Sequence, residues 1–160
     1  MVKNLRDKDT ISIVTYGGSV EIWLPPTSGA EKQKIIKAIE ELNAAGDTPG
    51  EAALRAAYKL AKTSFIKGGN NRIILATDGD FNVGQPTEKE LEELITKQRQ
   101  SGIYLTCLGV GMGNYKDSKI EALAKRGNGN FAYLDDIKEG EKILVKELTQ
   151  TLYTVANNVT

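Results

Sequence analysis

The chain has 160 residues, enough for one domain with a real core, and its 40% apolar and 26% charged residues are those of an ordinary globular protein. Lys and Arg balance Asp and Glu at 21 each, which argues against a nucleic-acid backbone as partner. Histidine is absent, which removes the commonest general base and histidine-ligated zinc, and the single Cys107 cannot form an internal disulfide.

Along the chain, Thr10 to Tyr16 is rich in β-branched residues and reads as a strand. Gly17-Gly18-Ser19 is a tight turn, and Val20 to Leu24 is a second strand, stopped by Pro25-Pro26. Ser28 with Glu31 has capping-box spacing, and Ile35, Ile36, Ile39 and Leu42 recur helically, so a helix is expected from Ala30 to Asn43. After the loop Gly46-Asp47-Thr48-Pro49-Gly50, a helix from Glu51 to Lys67 carries Leu54, Tyr58, Ala61 and Phe65 on one face and ends at Gly68-Gly69. Ile73 to Thr77 is an apolar run expected as a buried strand leading into Asp78-Gly79-Asp80. Thr87 and Glu90 cap a helix with Leu91, Leu94 and Ile95 inward. Tyr104 to Val110 is a strand, and Cys107 inside it reads as a buried thiol. A short helix from Lys119 to Arg126, a strand from Asn130 to Leu134 and a long amphipathic helix from Gly140 to Ala156 complete the chain.

From residue 70 onward strands alternate with helices, and the strands are continuous apolar runs. That pattern implies a doubly wound α/β domain with a parallel sheet. In such sheets ligands bind at the carboxyl ends of the strands, where strand order reverses. No apolar run approaches a membrane span, and the opening residues show no signal-peptide core.

Asp78 follows a strand directly, so it stands at the carboxyl edge of the sheet, where a carboxylate suits a hard cation; Asp-Gly is equally ordinary turn chemistry. Thr48 before Pro49, with Glu51 three residues on, is a complete N-cap signature, and taken alone it caps its helix. Asp78 and Asp80 form a D-x-D pair of the kind used by magnesium-dependent phosphoryl-transfer hydrolases. That pattern wants threonine or valine where Asn82 stands. Gly109 to Gly113 hints at a dinucleotide loop, but Asn114 occupies the place of its last glycine.

Thr77-Asp78-Gly79 after a strand, and Gly46-Asp47-Thr48-Pro49-Gly50 before a helix, resemble the third and second metal-site segments of von Willebrand factor A (VWA) domains. The stretches Gly68 to Arg72, Ile73 to Gly84 and Gly127 to Tyr133 are similar to a bacterial, often envelope-associated subgroup, and the likeness runs from Asp9 to the last helix. The resemblance implies one domain over residues 1–160 with a Rossmann-like, mostly parallel sheet and one antiparallel edge strand. It implies a protein-binding, adhesion-type module and not an enzyme, with cell envelope or periplasm as its place. It implies Mg2+ or Mn2+ held by Thr48 and Asp78, with Asp80 as an accessory position; Asp47 departs from the family, which more often has serine or glycine there, and reads first as a solvent-facing loop residue and second as an accessory carboxylate. Gly46, Pro49, Gly79 and Asn82 would border the partner, a protein offering a carboxylate.

One departure is large. The D-x-S-x-S motif of the family's first segment occurs nowhere in the chain, and Val2 to Arg6 is similar to the tail of the family's first helix. The central first strand is therefore expected to be missing and the metal weak or absent. The strands at 10–16 and 73–77 should then pair directly, or two copies should associate across the gap. The alternatives are the phosphoryl-transfer hydrolase using Asp78 and Asp80, and a truncated fragment without a function of its own.

Overall fold

A computed structural model of the chain describes residues 2–43, 50–78, 87–110 and 118–134, with 138 and 140. After a short 3-10 turn at Val2–Asn4 come β1 (Thr10–Thr15), β2 (Glu21–Ser28), α1 (Lys32–Glu40), α2 (Gly50–Thr63), β3 (Asn71–Thr77), α3 (Thr87–Gln100), β4 (Ile103–Val110), α4 (Ser118–Arg126) and β5 (Phe131–Leu134). The C-terminal helix expected at 140–156 lies outside the described residues.

The strands form two sheets. β1 and β2 make an antiparallel hairpin, while β3, β4 and β5 are parallel in that order. The α/β class with an antiparallel edge hairpin thus holds. β3 to β4 and β4 to β5 step the same way across the sheet, and a right-handed crossover puts the helix of each step on the same face. Accordingly Leu91 and Ile95 of α3 and Ile120, Leu123 and Ala124 of α4 share one core with Leu75, Ile103, Leu105 and Cys107 of the strands. Leu54 and Tyr58 of α2 complete it. The positions follow from alternation: odd-numbered residues of β3 and β4 face this core. Two glycines let the chain close over it. A Cβ on Gly129 would fall on the Leu105 carbonyl, and one on Gly127 would lie 2.5 Å from the Leu105 Cβ. Asn128 between them turns with φ +52°.

Four expectations need correction. β2 runs through Pro25 and Pro26 to Ser28 instead of stopping at Leu24, which an edge strand tolerates because its outer N–H groups have no ladder to serve. Ser28 does not cap α1: Glu31 holds that place without a side-chain cap bond, and Ser28 Oγ instead donates to the Asp7 carbonyl at 2.6 Å. α2 ends at Thr63, four residues short of Lys67, and the Asn71 side chain holds the following turn through the Ile66 amide at 2.8 Å. Direct pairing of β1 with β3 does not occur: among the described residues β1 is laddered to β2 only and β3 to β4 only. Among the described residues no helix is long and apolar enough to cross a membrane.

Candidate functional site

The carboxyl edge of β3 is the place the sequence marks for chemistry. Thr77 ends the strand buried and Asp78 follows it, exposed. Of the residues expected there, Asp78 alone can be placed. Gly46, Asp47, Thr48, Pro49, Gly79, Asp80 and Asn82 lie outside the described residues. α2 begins at a buried Gly50 and touches both β1 and β3, so the helix preceded by the Thr48 loop spans the two sheets.

Sequence reasoning missed Tyr16. It follows the last residue of β1, packs against the core, and donates its hydroxyl proton to the Ala76 carbonyl of β3. This bond links the two sheets side by side and shows that the carboxyl ends of β1 and β3 lie together. Burial pushes the Tyr16 phenol up; a hydrogen bond to Thr77 works against this, and the negative charge of Asp78 adds to it. Tyr16 therefore stays a neutral donor at physiological pH. The only signal in the sequence was an aromatic residue at a strand end before Gly17-Gly18. Nothing local says that it turns across a gap.

The edge can also be tested against a divalent cation. Magnesium asks for near-octahedral oxygen coordination. Among the described residues no three His, Cys, Asp or Glu side chains converge on a common point. Asp78 brings one exposed carboxylate to the edge, and Tyr16 already spends its proton on Ala76.

Residues 1–150 match the von Willebrand factor type A domain. The chain belongs to the VWA family. It is 49% identical over 159 residues to the uncharacterized protein YfbK of Escherichia coli K12, an alignment covering 99% of this chain and 28% of that protein. It is 30% identical over 138 residues to inter-alpha-trypsin inhibitor heavy chain H2 of Mesocricetus auratus, covering 81% of this chain and 14% of the relative. The VWA domain thus spans under a third of the length of these relatives. Among solved structures, a von Willebrand factor type A protein from Catenulispora acidiphila superimposes with a TM-score of 0.70 at 17% identity, covering 94% of this chain and 34% of that one. The SpRpn10 VWA domain gives 0.60 at 15% identity, covering 78% and 64%. These likenesses establish a VWA fold of bacterial type. VWA domains are in general interaction modules and not enzymes, and they often hold Mg2+ or Mn2+.

Proposed function

We propose that this VWA domain binds a protein partner at the carboxyl edge of its sheet, around Asp78, and that it holds no tightly bound divalent cation there. The observation that carries the reading is the position of Asp78: exposed at the end of β3, beside the carboxyl end of β1, where strand order changes direction. One fact supports the loss of metal: the given sequence has no D-x-S-x-S segment.

The partner's chemistry follows from the charge. A partner carboxylate suits a cation-loaded edge. An edge without the cation presents Asp78 as a bare acceptor, which favours a lysine, arginine or amide donor and repels a carboxylate.

Calorimetric titration of the 160-residue chain with Mg2+ and Mn2+ tests this, with Asp78→Ala and Thr48→Ala as controls. The expected result is binding no tighter than about 1 mM, unchanged in both variants. Micromolar binding lost in both variants would sink the metal-free reading and restore the partner carboxylate.

A further inference from the structure

The corner that joins α4 to β5 carries a chemically labile pair. Asn128–Gly129 is the only Asn-Gly pair in the sequence. Asparagine before glycine cyclises readily, because no side chain on the second residue hinders the approach of its amide nitrogen to the asparagine carboxamide. Asn128 is exposed to the water that the reaction consumes.

The geometry of the corner holds this chemistry off. α4 closes in a Schellman arrangement: the Gly129 amide donates to the Ala124 carbonyl at 3.0 Å and the Asn128 amide to the Lys125 carbonyl at 3.2 Å, with Asn128 at φ +52°. The nitrogen that would attack is therefore tied back to α4. Turning it onto the Asn128 side chain breaks its bond to Ala124. The same motion lifts Gly129 off β4, where a Cβ would collide with the Leu105 carbonyl. Two further bonds pin the corner on either side. The Leu105 amide donates to the Gly127 carbonyl at 3.1 Å, and the Cys107 amide to the Asn130 carbonyl at 3.0 Å. Two points on β4 thus fix the length of chain between residues 127 and 130. Ile120, Leu123 and Ala124 anchor α4 in the core, so the corner opens only when the helix end loosens.

We propose that Asn128 is a deamidation site gated by the fold: shut while the end of α4 is docked on β4, open when the corner comes away. The freed Gly129 nitrogen gives its proton to water and attacks Cγ of Asn128. A C–N bond forms and the Cγ–Nδ2 bond breaks. The departing nitrogen takes up a proton and leaves as ammonia, and a five-membered succinimide remains. Water then opens the ring at one of its two carbonyl carbons. Addition at Cγ breaks the new C–N bond and leaves an ordinary aspartate. Addition at the main-chain carbonyl carbon breaks the original peptide bond and leaves an isoaspartate, whose main chain runs through Cβ and Cγ and is one atom longer. The two products differ in consequence. Aspartate keeps the spacing between residues 127 and 130. Isoaspartate inserts an atom between two pinned points, where Gly129 already touches Leu105 and leaves no slack, so both bonds to β4 cannot form again. The site records an opening of the corner and then prevents its closure.

Peptide mapping of the 160-residue chain, aged in mildly alkaline buffer, tests this. Conversion at Asn128 should be about tenfold or more slower in buffer than in denaturant. Ile120→Ala, which loosens α4 from the core, should speed conversion of the folded chain severalfold. Should that variant not fold, denaturant below the unfolding transition loosens the natural chain to the same effect. Chains aged in denaturant are then refolded. Those with aspartate should recover slow amide exchange at Leu105 and Cys107, and those with isoaspartate should not. Asn128→Gly keeps the left-handed corner and cannot cyclise, so it should recover fully after the same ageing. Equal conversion with and without denaturant, isoaspartate chains that regain protection at both amides, or an aged Asn128→Gly chain that fails to recover would each overturn the proposal.

Discussion

β3 and β4 lie side by side in register along all seven residues of β3, and both are apolar, yet they are buried to very different extents. In β4, Ile103, Leu105, Thr106, Cys107 and Leu108 are all buried. In β3 only Leu75 and Thr77 are, and Ala76 is exposed. The difference is one of neighbours. β4 has a strand on each side and α3 and α4 on its core face, while among the described residues β3 has a strand on one side only and a gap towards β1 on the other. Apolar composition made the two strands look alike; position in the sheet separates them.

Truncation is the sharpest way to break this comparison. Leu105 is 0% exposed, and Leu105→Ala should cost about 2–5 kcal/mol in denaturant unfolding. Ile74→Ala, beside the gap, should cost only about 1 kcal/mol, because part of that side chain already meets water. Equal costs would mean that the gap is closed in solution.

Alkaline titration probes β4 from the inside. Burial pushes the Cys107 thiol up to about 12. Above its ordinary value the unfolded chain releases this proton while the folded chain keeps it, so stability must fall as pH rises. Between about pH 9 and 12 the loss from this residue should approach 1.4 kcal/mol per pH unit, and Cys107→Ala should remove that share of the slope. An identical slope in the variant would place the titration elsewhere.

The sequence was readable where periodicity is strong and local. Helical recurrence located α1, α2 and α3 to within a few residues, and the apolar runs located β3 and β4. Asp78 could be placed because a carboxylate directly after a strand has nowhere else to be. What failed was non-local. Pro25-Pro26 reads as a stop unless the strand is known to be an edge. Ser28 and Glu31 have capping-box spacing, but Ser28 is held by Asp7 from the other side of the hairpin. The Ile73–Thr77 run reads as a buried strand until its missing neighbour is seen. Tyr16 acquires its role only because the carboxyl ends of β1 and β3 lie side by side.

The last predicted effect has the opposite sign to the others. Tyr58 on α2 is 1% exposed, and among the described residues its hydroxyl has no hydrogen-bond partner. Burial pushes this phenol above its usual range, so it remains a neutral, unpaired O–H. An unmade hydrogen bond of this kind leaves the desolvation cost of the hydroxyl uncompensated. Tyr58→Phe keeps the ring in the core and removes only that atom, so it should raise stability by about 1 kcal/mol in denaturant unfolding. Tyr16→Phe should lower stability by a similar amount, because there the hydroxyl is satisfied by Ala76. Two tyrosines in one core, each losing the same oxygen, should thus move in opposite directions. If Tyr58→Phe destabilises the chain as well, a group beyond the described residues takes its proton, and the core beneath α2 is as complete as the one around β4.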